Sequence, residues 1–547
     1  MQHERSTRHT RQALPMGRLR RAWLLSSALA ETLLFSGGLL GWSSLGPLLA
    51  ELGVLSDSCE PDPRAAHAWS NYSTAEYPGA GSVGPADSPP STFCPSQEQS
   101  LSLGFSVGSL FLGGTFLPLQ LLLGYVQLRS LRQVGGALVA VSLLTLTYSC
   151  TNPHTLSLLL PFALVGLGVG GSCVVFTSLM LPFFLGNTDT VYTPLVIACY
   201  TASATMFTLI KVIYYSGTPF VPLILGFGAL SCLMFLNSFF CWDLEQSGER
   251  HKYSVRLRLD CYAAARREPE EADWCQKSLK YKFQKSLRDK ERILSSRRNM
   301  DFRKPEDGVS SGPPLHRSLL SPLFVLHLVS DALLLTWLHF YISSLSLHLR
   351  GVAGDQRTAD LFSSLFGALQ MLALFTGPLA SLLLHRERAI KRAGKAGCAK
   401  QGFIRRLSLA FAVRTLAVVG FGISCLVPSL GVQILGFVLH VTVRSSAFLF
   451  SSSLFGSMFP ASHFGALLGI HIFVSSALTL FQHPLFLLLT SALGGDPFWI
   501  HAAFLGLSLI STSVPLSLCI KRGQEPHRPP SHPTAIRRAG SSEQTSV

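Results

Sequence analysis

Twelve blocks of about twenty apolar residues, nearly free of charge, fix the solvent in which this chain can fold. Each block is long enough to cross roughly 30 Å of hydrocarbon at about 1.5 Å per helical residue. The first six lie near 22–48, 101–124, 134–150, 156–184, 191–215 and 220–241, and the second six near 321–348, 359–384, 407–428, 432–459, 465–490 and 497–520. Of the 547 residues 48% are hydrophobic and 14% charged, against about a quarter charged in soluble domains. The reading is an all-α polytopic membrane protein.

A net charge of +15 could suggest nucleic acid, but the placement of that charge excludes it. With the amino terminus inside, 39 of the 45 Lys and Arg fall in cytoplasmic segments, Arg129 and Arg132 among them. Outside loops hold Arg64, Arg350 and Arg357, while Lys211, Arg414 and Arg444 lie within spans. Such asymmetry orients a polytopic protein with both termini in the cytoplasm. The first apolar block is too long for a signal peptide and is read as a retained helix.

The first outer loop agrees with this orientation. It contains the sequon Asn71-Tyr72-Ser73, a glycosylation acceptor, together with Cys59 and Cys94, which suit a disulfide in an oxidising compartment or stand as two free thiols. The other cysteines show no zinc spacing.

Domain organisation follows from these blocks. Residues 1–21 form a cytoplasmic N-terminus, 22–241 hold spans one to six with the outer loop 50–100, and 242–320 form a basic cytoplasmic loop. Residues 321–520 hold spans seven to twelve, and 521–547, rich in Pro, Ser and Arg, form a disordered cytoplasmic tail. The middle loop, with Leu279, Phe283 and Leu287 at four-residue spacing among lysines and arginines, is either an amphipathic helix on the inner leaflet or a solvated loop. Six spans, a long loop and six more spans resemble the major-facilitator-type fold, twelve transmembrane helices in two six-helix halves.

Ionisable groups inside hydrocarbon need partners or water, so each is a site candidate. Glu31 lies about 15 Å into span one, and Asp331 at the same depth of span seven. His440 and Arg444 share one face of span ten. A Glu31–Arg444 interaction across a central cavity could hold a zwitterion or act as a gate, or be a fixed ion pair that packs the halves. Lys211 near the outer end of span five could snorkel, and His327, four residues before Asp331, shares its face. Thr177, Ser178, Tyr200 and Gln370 could hydrogen-bond a polar solute or a neighbouring helix. The glycines of Gly166-x-Gly168-x-Gly170-Gly171 and Gly104-x-x-x-Gly108 read as close helix packing. No nucleotide loop, nucleophile elbow or zinc spacing is present, so an enzyme is not expected, nor is a metal or other cofactor.

Several stretches go beyond hydropathy. They include Leu-Gly-Trp-Ser-Ser-Leu at 40–45, Leu-Gly-Phe-Ser-Val-Gly-Ser at 103–109, Ile-Lys-Val-Ile-Tyr at 210–214, Ser-Ser-Leu-Phe-Gly-Ala-Leu-Gln at 363–370, Phe-Val-Leu-His-Val-Thr-Val-Arg at 437–444 and Phe-Pro-Ala-Ser-His-Phe-Gly at 459–465. In these the chain resembles the sodium-independent large neutral amino acid transporters called small subunits three and four. The resemblance implies a plasma-membrane solute carrier that moves branched-chain and aromatic amino acids by alternating access, as uniporter or exchanger, without cofactor or obligate protein partner.

Three departures stand out. Gly124 and His385 occupy positions where that family is acidic, which bears on the inner gate. Trp337, in Leu335-Thr336-Trp337, is instead similar to the related purine nucleobase branch, so a nucleobase facilitator is the alternative substrate reading. A protein that has lost transport and serves as a membrane sensor or regulator is the alternative from another class, and proton coupling through the span histidines is a fourth.

Overall fold

In the computed structural model the described residues are 18–56, 59, 94–123, 125–185, 191–242, 314–385, 396–460 and 462–524. Among them twelve helices are long and apolar enough to cross a membrane: Leu19–Glu51, Pro95–Leu122, Leu128–Thr151, Ser157–Phe184, Tyr192–Tyr215, Phe220–Cys241, Pro322–Ala353, Gln356–Leu382, Gly402–Leu426, Leu430–Met458, Phe464–Ser491 and Phe498–Ile520. These are spans one to twelve, and no strand occurs among the described residues. Each expected block coincides with one helix. Asn71, Gly124 and most of the basic middle loop lie outside the described residues.

Local signals set the ends. Pro322 opens span seven where its missing N–H costs nothing, and the Ser321 hydroxyl accepts from the Phe324 amide. At the far end Gly354 takes φ 74°, a left-handed cap open to glycine. Asp355 then caps span eight by accepting from the Thr358 amide at 2.8 Å.

Within the first group, span four packs on spans two and three. A side chain on Gly168 would stand 2.5 Å from the Gly108 carbonyl oxygen, so the two glycine runs serve close helix approach. Spans five and eight, two and eleven, and one and seven bring the first group against the second. A shared core of Trp42, Phe105, Phe207, Tyr341, Phe366 and Phe421 lies where they meet. Leu144, Phe162, Leu236, Phe375 and Leu416 are exposed and face outward, as lipid solvent permits. Cys59 and Cys94 are joined by a disulfide that closes the loop between spans one and two.

Among the described residues six spans are interrupted part-way, spans two, eleven and twelve near Thr115, Thr479–Phe481 and Leu509–Thr512, and three others that meet near the centre of the fold. Of these three, span one breaks at a 3-10 turn, Gly38–Gly41, span five between Ala202 and Thr205, and span eight at a 3-10 turn, Gln370–Leu372. The breaks in spans one and five touch, because the Gly37 amide donates to the Ser203 hydroxyl at 3.0 Å and a side chain on Gly37 or Gly41 would strike the carbonyl of Tyr200 or Ala204. Interrupted spans free backbone polar groups at membrane depth, which is tolerated where they line a polar path.

Candidate solute-binding site

The breaks in spans five and eight converge on Arg444. This residue sits mid-way along span ten and is 8% exposed. Its guanidinium donates to the Gln370 side-chain oxygen and to the Thr201 carbonyl, each at 3.2 Å. Gln370 stands on the 3-10 turn of span eight, buried, with its amide nitrogen unpaired. Tyr200 precedes Thr201 on span five, and its phenol lies within electrostatic reach of Arg444.

One turn along span ten, His440 is fully buried in a wall of Phe366, Tyr341 and Phe421, with ring centroids 5.1, 5.5 and 5.7 Å away. Neither of its ring nitrogens makes a hydrogen bond of ordinary geometry, and the Tyr341 hydroxyl is also unpaired. Buried polar atoms without partners are rare because each forfeits its hydration, so their gathering around one cation makes this a candidate ligand site.

The other buried cations of the spans differ in one respect. Arg132 pairs with Glu31, Arg414 with Asp331, and Lys211 with Asp360 at 3.3 Å. Each has a carboxylate of its own. Among the described residues Arg444 is held only by neutral oxygens.

The expected Glu31–Arg444 interaction is therefore corrected. Glu31 accepts from Arg132 Nε at 2.9 Å and also from Nη2, and takes the Asn237 amide at 2.6 Å. Arg132 Nη1 donates to the hydroxyls of Thr177 and Ser178, both at 2.9 Å, so these two belong to the Glu31 cluster and not to the Arg444 site. The Arg132 guanidinium also lies over the Trp242 ring, 4.2 Å from its centroid. Span one explains the misplacement. At 33 residues it runs roughly 50 Å, longer than the hydrocarbon, so depth counted from its start overstates how far Glu31 penetrates. Arg132, assigned by sequence to a cytoplasmic segment, is fully buried.

Asp331 likewise stays within the second group. Its carboxylate takes Arg414, faces His471 Nε2 at 3.3 Å and receives the Ser451 hydroxyl at 3.4 Å. Lys211 does not snorkel: it is fully buried, paired with Asp360, with the Tyr215 ring 5.6 Å away.

With this geometry in view the relatives can be compared. No protein-family model matches the chain. It is 30% identical over 549 residues to large neutral amino acids transporter small subunit 3 of Homo sapiens, covering 92% of this chain and 94% of that protein. The same transporter of Mus musculus is 29% identical over 556 residues, with the same coverage. Equilibrative nucleobase transporter 1 of Bos taurus is 24% identical over 502 residues, covering 89% of this chain and 93% of that protein. This chain belongs to the family of large neutral amino acids transporter small subunit 3. It is a polytopic membrane transporter of the major-facilitator type, with a transport and not an enzymatic role.

In this transporter Trp337 lies in a buried aromatic cluster. It is 1% exposed, stacks on Phe504 at 5.7 Å and donates from its indole N–H to His501 Nδ1 at 3.0 Å. Among the described residues, sequence reasoning missed Asn237, Asp360 and the Thr201 carbonyl, and misread Arg132. For Arg132 a signal existed. The third span of each group carries an arginine, Arg132 and Arg414, and the first span of each carries a carboxylate, Glu31 and Asp331.

Proposed function

We propose that this transporter carries large neutral, branched-chain and aromatic L-amino acids, independently of sodium, across the plasma membrane by alternating access between two six-helix halves. The observation that carries the reading is Arg444, a buried cation at the meeting of three broken or facing spans without a carboxylate partner among the described residues. A buried charge left uncompensated is costly, and the carboxylate of an amino acid compensates it with charge-assisted, bidentate hydrogen bonds. The free lone pairs of the Thr201 carbonyl and Gln370 oxygen suit an ammonium group, and the ring wall of Phe366, Tyr341 and Phe421 suits an apolar side chain. A purine base brings no anion to Arg444. The similarity to a nucleobase transporter supports that second reading, and Trp337, 5.1 Å from Phe421 of the ring wall, belongs to the same aromatic cluster.

The hollow around Glu51, Glu98, Arg350 and Asp360 is the outer mouth in this reading. There Arg350 reaches Glu98 at 3.4 Å and Lys211 reaches Asp360, joining spans two to seven and five to eight. These ties support a path closed on the outer side.

Uptake of labelled leucine and labelled adenine into cells with confirmed surface delivery, with and without sodium, tests the proposal. Leucine uptake that persists without sodium supports it. Adenine uptake alone moves the assignment to the nucleobase reading, and neither signal in well-delivered protein favours a non-transporting sensor.

A further inference from the structure

His327, Asp331 and His471 form a second buried cluster, between spans seven and eleven. Their ligand atoms lie within 4.8 Å of one another, although the histidines come from two different spans. His327 and Asp331 are four residues apart on span seven, hence on one face, and His471 meets them from span eleven. The two imidazoles stack almost parallel, centroids 5.0 Å apart. The two histidines are more than nine-tenths buried, at 1% and 4% exposure, and the Asp331 side chain is 12% exposed.

The hydrogen bonding of this cluster is incomplete. Arg414 holds Asp331 through Oδ1, which leaves Oδ2 turned toward His471. Neither nitrogen of His471 has a hydrogen bond of ordinary geometry. Its Nε2 stands 3.3 Å from Oδ2, longer than the roughly 2.7–2.9 Å of a charge-assisted bond. That spacing matches something else. Two ligand atoms each about 2.0–2.1 Å from a tetrahedral zinc ion lie about 3.3 Å apart.

We propose that His327, Asp331 and His471 are a binding site for a divalent d-block cation of the zinc type. Two neutral imidazoles and one carboxylate oxygen supply three ligands, and the Ser451 hydroxyl, 2.9 Å from His327 Nε2, or a water supplies the fourth. The His327 ligand atom lies within 4.8 Å of the other two, so each of these two sides closes to the tetrahedral spacing with a change of at most about 1.5 Å. Arg414 acts from the outside, fixing the carboxylate as outer partners of metal ligands do. Because that guanidinium already compensates Asp331, the site suits an ion that prefers imidazole. Mg²⁺ and Ca²⁺, which need several oxygens, are poorly served. Phe411 and Phe455 wall the His327 ring at 5.5 Å each, which keeps competing water away. A bound ion fastens span seven to span eleven.

The test uses the purified full chain in detergent, stripped with chelator and titrated with Co²⁺ as the probe. The expected result is a visible absorption band of tetrahedral cobalt that saturates at one equivalent, is displaced by Zn²⁺ and is unaffected by Mg²⁺. His327→Ala and His471→Ala, each checked for monodisperse elution, lose the band. His471→Gln, which keeps more volume, substitutes if the alanine variant fails to fold. Asp331 is left intact, because its removal strands Arg414. Absence of the band in the wild-type chain overturns the site, and so does its persistence in the His327→Ala/His471→Ala double variant, which assigns the metal to other histidines.

Discussion

Glu31 binds Arg132 within the first group of spans, and Asp331 binds Arg414 within the second, so the same carboxylate–arginine pairing joins the first span of each group to its third. Each pair also engages hydroxyls of the fourth span of its group, Thr177 and Ser178 for Glu31 and Ser451 for Asp331. All four ions are at most 9% exposed, and neither pair crosses between the groups. They are struts within each group, and among the described residues of the spans Arg444 is the buried cation without such a carboxylate.

Glu31→Gln therefore unfolds the transporter before it alters selectivity. Removing one partner of a buried pair leaves Arg132 uncompensated and costs about 3–5 kcal/mol. Thermal unfolding followed by fluorescence-detected size exclusion should show a large loss for Glu31→Gln. The double change Glu31→Gln/Arg132→Met should recover much of it. A Glu31→Gln protein that is stable yet fails only in transport would return Glu31 to the solute path.

Lys211 and Asp360 should govern the outer mouth. Asp360→Asn strands a fully buried ammonium and removes one tie between spans five and eight, so the outward-open state gains population. Asp360 is partly exposed, which discounts the pair to about 1 kcal/mol, or roughly fivefold in the equilibrium. A membrane-impermeant thiol reagent should modify Ser43→Cys, in a hollow that adjoins this mouth through Pro47, Ala50 and Glu98, several-fold faster in the Asp360→Asn background. An unchanged rate would mean that other contacts hold the mouth closed.

Trp337→Ala should reduce stability by about 3–5 kcal/mol, because it empties a packed site among Phe421, Phe504 and His501. Trp337→Phe keeps the stacking and should be nearly silent. Neither change should alter the ratio of leucine to adenine uptake. A shift in that ratio with Trp337→Phe would make the residue a determinant of substrate choice.

Hydropathy made the spans legible, because lipid demands long apolar helices whatever the tertiary arrangement. Charge partners were not legible in the same way. Arg132 follows Arg129 at a span boundary, where the rule that basic residues lie inside places both in the loop, yet one turn of helix carries Arg132 into the interior. The Arg444 site depends on the break in span five, which exposes the Thr201 carbonyl, and no proline or glycine marks that break in Thr201-Ala202-Ser203-Ala204. His440 and Arg444 were legible together, one turn apart on span ten, whereas the approach of Gln370 to Arg444 depends on how spans eight and ten pack.

Arg444 is the position where transport and stability should separate. Its partners are a side-chain amide and a backbone carbonyl, both neutral, so Arg444→Gln strands no buried charge and should leave surface delivery and unfolding temperature nearly unchanged. What disappears is a charge-assisted contact to the substrate carboxylate, about 1.5–3 kcal/mol, or roughly 10- to 150-fold in leucine uptake efficiency. Arg444→Lys keeps the charge but not the planar fork, and should fall between the two. An analogue that keeps the ammonium and replaces the carboxylate by an uncharged amide tests whether the carboxylate is the group recognised. Leucinamide should compete with leucine poorly in the wild-type transporter, and its relative disadvantage should shrink in Arg444→Gln. If leucine and leucinamide compete equally well in the wild type, the anion at Arg444 is not the substrate's, and the amino acid assignment loses its physical basis.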